Sequence, residues 1–414
     1  MSTITVTWAI SALAVLGVVT RPCGWPEAIW AVVGAILLIA IGAIGFADAL
    51  AGVAKGFDVY LFLLGMMMLS ELARQEGLFD WLASIATHHA GGSPRRLFSL
   101  IYMTGVATTV FLSNDATAVV LTPAVYAACR AAQVKDPLPY LLICVFIANA
   151  ASFALPISNP ANLVIFGDRH MPTLVPWLKA FTLPSLAAVG VTFLTLLWTQ
   201  RSALAADQVV VTQPTSLPAS ARLTGSALII TAIIMLGSSA LGFDLGIPTF
   251  AAAVISTSII LFLQRKPPFA LLKNISWSVL PLVAGLFVLV QALEATGLIN
   301  VLSSQLKELT SWSTTLGPTM AGASIALASN LVNNLPAGLI AGGAVHTAQA
   351  SEKMARAILI GVDLGPNLSV TGSLATILWL NALRREGLDM TALAFLKLGV
   401  IVMTPALLVA LSVM

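Results

Sequence analysis

Asp115 lies between Phe111-Leu112 and Ala118-Val119-Val120-Leu121, with no basic residue close to it in sequence. A carboxylate at the depth of a bilayer costs about 2.5–3.5 kcal/mol on insertion scales, so a residue of this kind is by default a functional one. It is protonatable, and could carry a coupling proton or touch a solute; the alternative is a hydrogen-bond acceptor that closes a helix break. Ser113-Asn114-Asp115-Ala116-Thr117 is one of four polar or Gly/Pro-broken interruptions in otherwise apolar sequence. The others are Ser158-Asn159-Pro160-Ala161-Asn162, the Asn330, Asn333 and Asn334 group, and Asp363 with Asn367, Ser369, Thr371 and Ser373. Broken helices leave backbone N–H and C=O groups free, and Asn, Ser and Thr side chains add donors and acceptors. The candidate solute-binding residues are therefore Ser113, Asn114, Asp115, Thr117, Ser158, Asn159, Asn162, Asn330, Asn333, Asn334, Asn367, Ser369, Thr371 and Ser373. Asp115 and Asp363 are the candidate proton-coupling groups, although an aspartate beside a broken helix can equally tie up free N–H groups. Some of the amides and hydroxyls are expected to cap helix ends instead. None of the four interruptions carries Lys or Arg, which suits a small polyhydroxylated solute better than a dicarboxylate or phosphate.

These residues need elements that can hold polar groups inside a bilayer. Of 414 residues, 58% are hydrophobic and 9% charged, against about 25% charged in a soluble domain. Apolar runs near span length recur: Ile4 to Val19, Ala28 to Phe46, Val59 to Leu72, Leu138 to Leu155, Phe181 to Trp198, Ala227 to Leu241, Ile247 to Leu263 and Leu393 to Val413. Leu97 to Cys129 is different, because the Asp115 break splits it into arms of roughly 23 Å as helix, too short for a ~30 Å hydrocarbon core. It reads as a re-entrant hairpin with the break at its tip, and Leu316 to Ala350 as its counterpart.

The counterpart is not accidental. Glu76-Gly77-Leu78 aligns with Thr296-Gly297-Leu298, Ser113-Asn114-Asp115-Ala116 with Asn333-Asn334-Leu335-Pro336, and Pro156 to Leu163 with Asn367 to Leu374. Interruptions at matching positions of two halves point to a transporter's binding site. A hairpin returns to the face it left, so Arg95, Arg96, Arg130 and Lys135 share one face, expected to be cytoplasmic. Threading from there adds Arg21, Arg74, Arg201, Arg222, Arg265, Lys266, Lys273, Arg384 and Arg385, and leaves Lys55, Arg169, Lys179, Lys307, Lys353 and Arg356 outside. The expected fold is an all-α integral membrane protein with about ten transmembrane helices plus two re-entrant hairpins in an inverted-topology repeat, both termini outside. The expected organisation is N-terminal spans over 1–57, a first repeat over 58–200 with hairpin 97–130 and broken span 138–168, a linker over 201–222, connecting spans over 223–273, and a second repeat over 274–414 with hairpin 316–350 and broken span 353–382.

Other reactive residue types carry less. Cys23, Cys129 and Cys144 show no metal or disulfide spacing and read as small buried hydrophobes. His88, His89 and His170 fall in interfacial segments and His346 on a hairpin arm. Glu71 has Arg74 one turn away as a partner. The N-terminal run lacks a basic flank and a cleavage site, so it reads as a retained span. The basic residues form no block suited to nucleic acid, and no HExxH, GxSxG or clustered His suggests an enzyme or a metal site. No cofactor is expected. A passive channel fits paired breaks less well than alternating access does.

Ser113-Asn114-Asp115-Ala116-Thr117-Ala118 with Leu121-Thr122-Pro123, Asn333-Asn334-Leu335-Pro336, and Gly361-Val362-Asp363-Leu364-Gly365-Pro366-Asn367-Leu368 continued by Gly372 to Trp379 resemble the motifs of the arsenite/antimonite efflux permeases of the ion transporter superfamily. The resemblance covers nearly the whole chain. It implies export of trivalent arsenic and antimony hydroxides from the cell across its inner (plasma) membrane, with protons or a cytosolic ATPase subunit as partners. Asn367 stands where a basic residue, and Val370 where a second proline, would be expected. A sodium/proton antiporter or other cation carrier of the same fold is the alternative, with Ser113, Asn114 and Asp115 holding the ion.

Overall fold

The computed structural model of the chain describes residues 2–166, 171–211, 213 and 216–414, without the side chain of Cys23. Arg169, threaded to the outer face, and His170, placed in an interfacial segment, lie outside the described residues. Among the described residues the chain forms helices and no strand.

The first half runs α1 (Thr3–Thr20), α2 (Glu27–Ala40), α3 (Phe46–Lys55), α4 (Phe57–Gln75), α5 (Leu78–Ala90), α6 (Pro94–Phe111), α7 (Thr122–Ala131), α8 (Leu138–Ala150), α9 (Pro160–Phe166) and α10 (Leu174–Thr199). The second repeats that order as α11 (Ala219–Ala240), α12 (Gly246–Gln264), α13 (Phe269–Asn274), α14 (Val279–Ala295), α15 (Leu298–Trp312), α16 (Leu316–Val332), α17 (Asn334–Ala348), α18 (Glu352–Leu364), α19 (Leu374–Arg385) and α20 (Ala392–Ser412). α1, α10, α11, α12 and α20 are long and apolar enough to cross a membrane, and with 28–39% of their apolar stretches buried they leave the rest for lipid. α3 and α4 form a pair bent by 47°, and α14 and α15 one bent by 75°. Gly77 and Gly297, matched in the sequence, both take left-handed φ (76° and 88°) where α5 and α15 begin, a conformation glycine adopts without steric cost.

Packing follows the same duplication. α4 lies on α12 and α14 on α2; α6 lies on α8 and α16 on α18; α10 lies on its own counterpart α20. Side-chain contacts give the direction. Near its C-terminal end α4 places Glu71 against Asn274 at the end of α13, with Asn274 Nδ2 donating at 2.9 Å. Near its own C-terminal end α14 places Glu294 3.6 Å from Lys55 at the end of α3. The equivalent helices α4 and α14 therefore run antiparallel, which is the inverted relation. Arg74 pairs with Glu71 as expected, Nε to Oε2 at 2.7 Å and Nη2 to Oε1 at 2.6 Å.

Each predicted hairpin is two arms that turn back at a break. α6 starts at Pro94 with Ser93 as its N-cap, and ends at Phe111. The chain then turns at Leu112-Ser113, forms one turn over Asn114–Ala116, and continues through the wide π segment Thr117–Leu121 into α7. α16 ends at Val332, and Asn333, at a left-handed φ of 72°, starts α17. In the broken spans α8/α9 and α18/α19 the helix is interrupted by a 3₁₀ turn, Pro156–Ser158 and Gly365–Leu368. Between the halves, Asp207 accepts from Lys135 N at 3.0 Å and Val210 N donates to Ala132 O at 2.8 Å, pinning part of the linker to the base of the first hairpin.

Candidate functional site

The two hairpin tips and the two span breaks meet at one crevice. Asn114, Asp115, Asn159, Pro160, Asn334, Leu335, Leu374 and Ala375 line it, with Leu63 of α4 and Val279 of α14 as side walls. The first turns of α9, α17 and α19 and the turn Asn114–Ala116 all begin here, so positive dipole ends face the space, while the N–H groups of Asp115, Ala116, Ala161, Leu335 and Thr376 are taken by side-chain caps. Its volume is about 10 Å³, about what one water needs, so the tips are closed on each other. A wider cavity of about 70 Å³ continues from Ser113 and Asp115 along Leu63, Met66, Ser70 and Glu71 towards Asn274. Neither lining contains Lys, Arg or His.

Of the candidate residues, Ser113, Asn114, Asp115, Asn159 and Asn334 line these spaces. Asn114 Oδ1 accepts from Asp115 N at 2.9 Å, and Ser113 Oγ caps the turn by accepting from Ala116 N at 3.1 Å. The repeat partner of Asp115 is Leu335, so the two tips present a carboxylate and an isobutyl group across the same crevice.

The remaining candidates are engaged within the protein. The hydroxyls of Thr117 and Thr109 are 2.8 Å apart between the hairpin arms. Ser158 Oγ donates to Val110 O at 2.9 Å, tying the first span break to α6. Asn162 Nδ2 donates to Ser152 O at 3.0 Å, filling a carbonyl that the break leaves free. At the second hairpin, Asn330 Nδ2 donates to Gly365 O at 3.0 Å, and Ser369 Oγ donates to Asn330 Oδ1 at 2.8 Å. Thr371 Oγ1 donates to Asn330 O at 3.1 Å and Asn333 Nδ2 to Thr371 O at 3.3 Å. Ser373 caps α19 through Thr376 N at 3.1 Å. These bonds fasten each tip to a span break.

Asp363 lies behind the crevice, fully buried in the seam between the broken spans. Asn159 Nδ2 donates to its Oδ1 at 2.8 Å, so the amide that lines the crevice also holds this carboxylate. Asp363 Oδ2 and the side-chain oxygens of Asn149 and Asn162 have no hydrogen-bond partner among the described residues. Asn149, not singled out from the sequence, belongs to this seam: its Nδ2 donates to Asn367 Oδ1 at 3.0 Å, while Asn367 Nδ2 reaches Phe146 O at 2.8 Å. The available signal was an amide inside the apolar run Leu138 to Leu155. The wall residues Leu63 and Val279 gave no such signal.

A family model described as citrate transporter matches residues 12–361. The chain belongs to the citrate transporter family. It is also similar to the arsenical pump membrane proteins of Escherichia coli (27% identical, over 98% of this chain and 96% of the relative) and Yersinia enterocolitica (28% identical, 84% of each). The resemblance to arsenite/antimonite permeases read from the motifs is thus borne out along nearly the whole chain. The crystal structure of the YdaH transporter of Alcanivorax borkumensis shares the fold, with a TM-score of 0.58, 14% identity, and 89% and 86% of the two chains covered. This citrate transporter family member is an all-α, multi-pass membrane transporter.

Proposed function

We propose that the protein exports arsenite and antimonite as neutral trihydroxides in exchange for protons, across the inner membrane and with both termini outside. The observation that carries this reading is the chemistry of the crevice, where Asp115 faces Asn114, Asn159, Asn334 and helix N-termini without a cationic side chain. A trihydroxide offers O–H donors to the carboxylate and oxygen lone pairs to the side-chain amide N–H groups of Asn114 and Asn334. Citrate would bring three more negative charges beside Asp115 into an apolar shell, which needs Arg or Lys partners. The relatives named arsenical pump membrane proteins support the same substrate class.

In the proposed cycle the solute enters from the cytosol while Asp115 is ionised. A proton arriving from outside neutralises the carboxylate, weakens the O–H contacts and releases the solute; the protonated carrier returns and loses the proton to the cytosol. No ATPase subunit is needed for this cycle, and one could add to it. A second reading, cation antiport, draws on the unpartnered buried oxygens of Asp363, Asn149 and Asn162.

Expression in a host lacking its own exporters is expected to confer arsenite and antimonite tolerance. Replacing Cys23, Cys129 and Cys144 together is expected to leave most of that tolerance, because Cys129 and Cys144 are fully buried away from the crevice. Growth curves with expression matched by blot check both. Complete loss in a well-expressed cysteine-free variant would require a thiol-based mechanism.

A further inference from the structure

A cavity of about 370 Å³ lies on the side of the crevice opposite the Glu71–Asn274 mouth. Its lining includes Lys55, Gln291, Glu294, Asn300 and His346, a polar set inside an otherwise apolar group of helices. The repeat relates it to the smaller cavity that opens from Asp115. α4, α9 and α14 contribute to both, α17 stands here where the π segment stands there, and Glu294–Lys55 stands where Glu71–Asn274 stands on the other side.

The inner end of this cavity is one helical turn from the crevice. Leu63, Pro160 and Leu335 line the crevice, whereas Val59, Leu163 and Leu339, three or four residues further along the same helices, line the cavity. Three or four residues of α-helix amount to about 5–6 Å. We propose that this cavity is the far-side vestibule of the translocation path, that the Val59, Leu163 and Leu339 side chains are the barrier separating it from the crevice, and that the Lys55–Glu294 pair braces its mouth. Across the opposite mouth Asn274 Nδ2 of α13 donates to Glu71 Oε1 of α4 at 2.9 Å, and Glu71 is itself fixed on its own helix by Arg74 and Gln75. The far mouth has one long pair, with side chains 41% and 29% exposed, so it is the less tightly held of the two.

The inference rests on the transport reading but not on the identity of the solute, and labelling separates the two. In the cysteine-free background, Gln291→Cys is expected to react with a membrane-impermeant cationic methanethiosulfonate applied from the Lys55 and Ser351 side, and not from the Arg95 and Arg130 side. Modification is expected to block transport of whichever solute the protein carries. Leu63→Cys, behind the barrier, is expected to react severalfold faster from the Lys55 side once Leu339→Ala thins that barrier. Modification of Gln291→Cys by a lipid-soluble maleimide alone would make the cavity a lipid-facing groove and overturn the proposal. So would labelling without effect on transport, or a Leu63→Cys rate indifferent to Leu339→Ala in protein recovered at wild-type levels. Failure of arsenite tolerance with the labelling pattern intact would count against the substrate and leave the vestibule standing.

Discussion

Asp115→Asn is expected to abolish solute accumulation driven by a pH gradient while leaving downhill exchange measurable. The amide keeps the size of the carboxylate and can still accept a hydrogen bond, but it cannot take up and release a proton. Among the described residues Asp115 has no salt-bridge partner, and it lines both the crevice and its near-side extension. Loss of coupling is thus not confounded by the release of a buried countercharge. Asp115→Glu retains a titrating group but displaces it by one methylene relative to the crevice amides of Asn114, Asn159 and Asn334, so weakened and pH-shifted transport is expected. Initial rates with and without a gradient, at matched expression, check both variants. Near-normal gradient-driven uptake by Asp115→Asn would remove the coupling role and transfer it to Asp363, the fully buried aspartate in contact with the crevice through Asn159.

Gly361→Val is expected to cost the protein its folded state in the membrane. α16 and α18 approach so closely that a Cβ at Gly361 would overlap the Gly322 carbonyl oxygen and sit 2.6 Å from the Ile325 side chain, and one at Gly322 would lie 2.6 Å from Ala357 O. Close approach of this kind through small residues is how helices associate when lipid removes the hydrophobic drive. Overpacking a tight contact costs about 1–3 kcal/mol and more where backbone cannot move. The same interface carries the second hairpin onto the second broken span, so its separation would also take Asn333 and Asn334 away from the crevice. Detergent-solubilised Gly361→Val is expected to aggregate, whereas Gly237→Ala, with nothing within 4 Å of an added Cβ, should behave as wild type. Size-exclusion profiles distinguish them.

Much of this arrangement is legible in the sequence because the bilayer penalises polar interruptions. Asp115, the Asn333-Asn334 pair and the Pro- and Gly-marked span breaks stand out from apolar surroundings, and their spacing gives the hairpins and the duplication. The equivalence of α1, α2 and α3 with α11, α12 and α13 is not legible there, since a helix facing lipid is satisfied by almost any apolar residue and its sequence is free to diverge. Nor does the sequence separate residues that face the solute from those that hold the fold. Ser158, Asn162 and Thr117 look like Asn114 or Asn159 in type and context, because burial requires a polar group to have a partner without specifying whether that partner is protein or solute. Three-dimensional pairing makes the division, as with Ser158 and Val110 or Thr117 and Thr109. The apolar walls, Leu63 and Val279, are invisible by the same logic, being leucine and valine among many.

Proton-driven export of a neutral trihydroxide is tested most directly in everted membrane vesicles, where export appears as uptake. With an acid lumen imposed, arsenite is expected to accumulate above its external concentration and to leak out when a protonophore collapses the gradient, while citrate and sodium do not accumulate under the same conditions. Gradient-driven movement of citrate or sodium with no accumulation of arsenite would contradict the account.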